Sequence, residues 1–193
     1  MPLRQKMFVV AGIVTCAAFS ASAEEHRQLG AHVHGHGRLN IAIEGKTVSI
    51  ELEAPGADIV GFEHEAITRA QRAAIEKAKA TLASGLSLFT PAAAADCTQK
   101  SAKVSIEAEH GDEHEHHAED GKEEAEEGHH HSEFHAEYAF ECASPARLTS
   151  MSFGYFKAFP NAQELDIALI SPKGQTSYEV KRDKPRLDLT GIM

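Results

Sequence analysis

Between His110 and His131 the sequence HGDEHEHHAEDGKEEAEEGHHH has no Val, Ile, Leu, Phe, Tyr or Trp. It therefore cannot bury enough apolar surface to offset roughly 1–2 kcal/mol of backbone entropy per residue, which excludes it from a folded core. Cysteine is scarce: beyond Cys16 only Cys97 and Cys142 remain, and their spacing is not the short Cys-x-x-Cys of zinc sites. No His-Glu-x-x-His is present, so the helix-borne ligand pair and general base of a zinc hydrolase are missing. Gly35-His36-Gly37 lacks the further glycines and lysine of a phosphate loop, and there is no Gly-x-Ser-x-Gly elbow. A basic surplus is missing too. The formal net charge is -10, which argues against nucleic acid or an anionic membrane as partner.

What the first of these stretches does contain is seven histidines and nine carboxylates around Lys122. A solvated charge run needs only Asp, Glu and Lys, because imidazole, with a pKa near 6.5, adds little charge at neutral pH. It does offer free nitrogen lone pairs beside carboxylate oxygens. Zinc, copper(II) and nickel all accept that donor set, so His110, His114, His116, His117, His129, His130 and His131 are candidate ligands on a mobile insertion at 108–132.

Residues 1–23 read as a secretory signal peptide: Arg4 and Lys6, an apolar run from Met7 to Phe19, then Ala21-Ser22-Ala23 as the cleavage site. No other apolar stretch approaches the ~20 residues of a membrane span, so no membrane insertion is expected. Residues 24–193 are then expected to be a single exported metal-binding domain. In an oxidising compartment the remaining pair, Cys97 and Cys142, is expected to form a disulfide. It would join the two ends of the insertion and contribute roughly 3–4 kcal/mol in the chain-entropy model.

From Ala31 two runs with period-two alternation flank Glu44-Gly45-Lys46, predicting a β-hairpin with Leu39, Ile41 and Ile43 facing the same way as Val48, Ile50 and Leu52. Between Asp58 and Gly85, Phe62, Ala66, Ile67, Ala70, Ala74, Ala78 and Leu82 recur at helical spacing, predicting an amphipathic helix of about five turns. Strands are expected at Leu86–Phe89, Lys103–Glu107, Phe134–Cys142, Arg147–Phe156, Glu164–Ile170 and Thr176–Lys181. The fold class expected is α+β, an antiparallel β-sheet with one major amphipathic helix packed on it.

A second set of donors lies in His32-Val33-His34-Gly35-His36. On a strand, period two places the three imidazoles on one face with roughly 6.5–7 Å between successive Cα atoms, near enough to converge on one tetrahedral zinc. His64, between Glu63 and Glu65, is a candidate fourth ligand, and His135 an outlying one. His32-Val33-His34-Gly35-His36-Gly37 with Leu39-Asn40, then Gly56-Ala57-Asp58-Ile59-Val60-Gly61-Phe62-Glu63-His64, the cysteine pair, the histidine-rich insertion and the ending from Glu164 to Leu189 resemble the ZrgA family of bacterial periplasmic zinc-uptake proteins. With the catalytic motifs absent no enzyme is expected, and the resemblance implies a zinc-binding accessory of high-affinity uptake that works with an ABC-type zinc importer. Periplasmic buffering, storage or detoxification of zinc, copper or nickel is the alternative. A metal receptor of an ABC importer is a further class, but the chain is short for two lobes.

Overall fold

The computed structural model describes residues 33–109 and 131–192. The expected signal peptide, His32 and the run from His110 to His130 lie outside them. In chain order the elements are β1 (His36–Glu44), β2 (Thr47–Pro55), α1 (Gly56–Ile59), α2 (Arg69–Leu82), α3 (Gly85–Leu88), β3 (Phe89–Pro91), β4 (Cys97–Glu109), β5 (His131–Cys142), β6 (Ser150–Phe153), α4 (Tyr155–Ala158), β7 (Glu164–Ser171), β8 (Gly174–Lys181) and β9 (Arg186–Asp188).

The hairpin β1–β2 turns at Gly45-Lys46 and pairs Leu39 with Leu52, Ile41 with Ile50 and Ile43 with Val48. Its alternation is the physical cause of its depth, since one full row of branched side chains enters the core while the other faces outward. Four more strands extend it into a six-stranded sheet of order β4-β5-β2-β1-β7-β8. A second sheet, β3-β6-β9, lies in the same hydrophobic core, where Phe89 of β3 meets Tyr138 of β5 edge-on at 5.6 Å between ring centroids.

The expected α+β class, one sheet under one major helix, is overturned. Among the described residues the chain is mostly β, with nine strands in two sheets against four short helices. Where five helical turns were expected, one turn, α1, is followed by irregular chain, and α2 starts only at Arg69 behind a Thr68–Gln71 capping box. Of the seven residues on the predicted stripe only Ala78 and Leu82 are buried, and Ile67 is 73 % exposed. Four of the seven are alanines beyond Phe62, Ile67 and Leu82, and a methyl group supplies too little apolar area to anchor a helix against a sheet. Larger side chains do so instead: Phe89, Met151, Phe153 and Leu187 from the small sheet, with Leu88 of α3 and Tyr155 and Phe156 of α4. The sheet is also not wholly antiparallel, because β1 and β7 run parallel, from His36 beside Glu164 to Ala42 beside Ile170.

Cys97 and Cys142 are disulfide-bonded. The bond lies at the end of the β4–β5 ladder remote from the insertion, whose flanks Glu109 and His131 pair at the other end. Hydrogen bonding along the two strands therefore holds the root of the insertion together.

Candidate metal centre

The chain enters β1 through a turn. His36 N–H donates to the Val33 carbonyl at 3.0 Å, and Gly35 sits at φ +89°, in the left-handed region that side chains other than glycine rarely adopt. The period-two placement of His34 and His36 on one face is thus broken at Gly35, and the two imidazoles go to different partners. Asp58, 2 % exposed at the centre of α1, fixes the turn: its Oδ1 accepts the Gly35 N–H at 2.7 Å. Burial pushes the Asp58 carboxyl above its usual value, partly offset by that N–H and by His34.

Beyond α1 the chain delivers Glu63. Its carboxylate stands between two imidazoles that are far apart in sequence, with His34 Nε2 3.1 Å from Oε1 and His131 Nδ1 2.6 Å from Oε2. The Glu63 side chain is only 11 % exposed, against 67 % for His34 and 45 % for His131. Oε1 is buried with no well-aligned hydrogen bond, despite the approach of His34, and so retains a lone pair for a cation. Burial alone would raise the Glu63 carboxyl; contacts with His131 and His34 outweigh it and hold the group below its usual value. One wall is apolar: Glu63 lines a cavity of about 300 Å³ with Val60, Phe62, Ile75, Ile106 and Phe134. Such a wall strengthens electrostatic contacts at the carboxylate. Gly56 permits the close approach of α1 to β5, since a Cβ there would lie 2.4 Å from Ser132 Oγ and 2.7 Å from the Phe62 carbonyl.

His135 Nε2 lies 3.1 Å from Oε2 of Glu133, itself buried, and 3.6 Å from Oε2 of Glu107. The Glu133 contact raises the His135 imidazole above its usual value against the opposing effect of burial. His36 Nδ1 is 3.8 Å from Oε1 of Glu164. The structure does not bring His64 to the Glu63 carboxylate. Its ring stacks on Phe62 at 5.1 Å, and Nδ1 lies 2.9 Å from the Glu65 carbonyl. His32, His110, His114, His116, His117, His129 and His130 lie outside the described residues.

Reading the sequence for histidines missed the carboxylates that organise them: Asp58, Glu63, Glu107, Glu133 and Glu164. Glu63 had a signal, since it stands beside His64 in the quoted motif. Glu133 had one as well, since period two puts it on the same face of β5 as His135, whereas Glu164 carried none, because it meets His36 only through the pairing of β1 with β7.

Imidazole nitrogens beside carboxylate oxygens on a β scaffold are the donor set of borderline divalent ions, which puts this molecule in the class of metal-handling proteins. The chain belongs to the ZrgA family: the model described as ZrgA family zinc uptake protein matches residues 31–189. Its role is in zinc uptake, and the family is a zinc-uptake family, not an enzyme family. A search of curated proteins finds no significant match to the chain. Among the described residues no helix is long and apolar enough to cross a membrane.

Proposed function

We propose that this chain is a periplasmic zinc-binding protein that captures zinc and assists its high-affinity import by passing it to the substrate-binding component of an ABC-type importer. The observation that carries the reading is the Glu63 carboxylate joined to His34 and His131. In apo protein, imidazole protons occupy the contacts that an ion would take over. His34 and His131 approach different oxygens of Glu63, at 3.1 and 2.6 Å, so a bound ion would draw the two imidazoles to one carboxylate. Two imidazoles and one carboxylate leave a fourth position for water or another imidazole. His131 is also the residue at which the insertion re-enters the fold. The insertion's other histidines then act as a collector of many exchanging donors that raises the local zinc concentration at this site, while Glu63, His34 and His131 hold the ion. His64 and His135 remain accessory donors in this reading.

Ligand imidazoles must lose their protons, so zinc affinity should fall steadily as pH drops from 7.5 to 5.5, through the usual imidazole pKa of about 6.5. At His135, whose value is raised, the proton competes up to higher pH. The same group has the opposite sign in apo stability. Its pairing contributes stability that is fully present below about 6.5 and is lost as pH rises through the higher folded value. Calorimetry across that range checks the binding; an affinity that stays flat would contradict histidine ligation.

The uptake role is tested by growth. A strain lacking this protein should grow poorly under a zinc chelator and recover with added zinc or the wild-type chain. Normal growth under chelator combined with sensitivity to excess zinc would replace uptake with storage or detoxification.

A further inference from the structure

Parallel pairing of β1 with β7 sets His36 beside Glu164 and Arg38 beside Asp166. Leu165 and Ile167 turn into the core, so Glu164 and Asp166 project from the opposite face of the sheet, where His36 also lies. One donor atom from each of His36, Glu164 and Asp166 falls within 4.8 Å of the other two. These three residues come from segments that the sequence separates by more than a hundred positions, and they share no atom with the Glu63 cluster.

Two cations border the group and are placed differently. Arg38 is turned to Glu53, with Nη2 2.8 Å from Oε2, and Asp166 has no ion-pair partner among the described residues. Lys181 on β8 reaches in from the other side, with Nζ 3.3 Å from Glu164 Oε2 and 2.6 Å from Glu179 Oε1. Three carboxylates (Glu164, Asp166, Glu179) against one ammonium leave two negative charges. One divalent cation would balance them.

We propose that His36, Glu164 and Asp166 form a second divalent-cation site, distinct from the Glu63 cluster, in which Lys181 is an internal counter-cation that the incoming ion displaces from Glu164. One imidazole and two carboxylates suit a borderline ion such as zinc. Lys181 keeps Glu164 paired when no ion is bound and, by competing with the ion, weakens the site. The site is therefore an exchange site on an open sheet face, suited to brief occupancy. The inference takes from the proposed function only that the ion is zinc.

The test is a zinc titration of the isotope-labelled full chain followed by amide resonances. In wild type, the amides of His36, Glu164 and Asp166 should shift with added zinc. Glu164→Gln with Asp166→Asn should abolish those shifts and leave the shifts at His34, Glu63 and His131 in place. Lys181→Met should lower the zinc concentration at half-shift roughly five- to tenfold, the effect of removing a nearby positive charge at a solvent-facing position. If the double variant loses its dispersed spectrum, His36→Ala, at an exposed position, serves in its place. Shifts at 36, 164 and 166 that never appear, or that survive either variant, would overturn the second site; an unchanged midpoint in Lys181→Met would overturn the role of the lysine. Movement at 36, 164 and 166 with silence at His34, Glu63 and His131 would instead remove the Glu63 reading and leave this one standing.

Discussion

Zinc titration of the chain carrying Glu63→Gln should lose the tight class of binding, by at least the roughly 10–100-fold that removal of even an outer partner of a metal ligand costs. The substitution keeps the shape of the side chain and an oxygen that can accept from His131, so the fold should survive it. What it removes is the negative charge, at a carboxylate only 11 % exposed and placed 3.1 Å from His34 and 2.6 Å from His131. Neutral ligands alone would then have to compensate for dehydrating a divalent ion beside an apolar wall. A competing chelator in the calorimeter separates the classes: the tight one should weaken, and a weaker class attributable to the insertion should persist. Retention of the tight class would show that the ordered site lies elsewhere. A second readout comes from apo stability. Because the Glu63 carboxyl is held below its usual value of 4.5, its contribution is present above that pH and lost as pH falls through the lower folded value, a slope that the Glu63→Gln variant should not show.

Replacing both cysteines, Cys97→Ser with Cys142→Ser, should lower the free energy of unfolding by about 4 kcal/mol in the chain-entropy model for a cross-link spanning 45 positions. Cys142 is fully buried at the end of β5, so a serine hydroxyl placed there adds a desolvation cost of its own. Urea denaturation of the oxidised wild type and the variant measures the difference. Zinc affinity should change little, because the ladder from Cys97 beside Cys142 to Glu109 beside His131 places the bond at the opposite end of the same two strands from His131 of the candidate site. A variant that is folded yet has lost tight zinc binding would contradict that separation.

The part of the fold that could be read residue by residue was the part governed by local alternation. The hairpin β1–β2, with Ile41 opposite Ile50, follows from branched residues at every second position and a Gly45 turn. Glu164–Ile170 and Thr176–Lys181 are strands for the same reason, observed as Glu164–Ser171 and Gly174–Lys181. The long helix failed because helical spacing was counted without weighing side-chain size: a stripe of alanines satisfies the period and supplies little burial. The small sheet was missed because β3 and β9 have three residues each, too few for any period to register.

For the site, the sequence alone determined the chemistry. Imidazoles and carboxylates at high local density, on a chain with a cysteine pair and without hydrolase motifs, point to borderline divalent metal ions as the ligand. Which donors meet was decided only in three dimensions. Gly35 at positive φ, held by buried Asp58, sends His34 to Glu63 and His36 to Glu164. The start of β5 brings His131 to the same Glu63, and the parallel β1–β7 register brings Glu164 to His36. These encounters join residues up to 128 positions apart, as with His36 and Glu164. Neither composition nor spacing encodes them, because they depend on which strand edges pair once the core is closed.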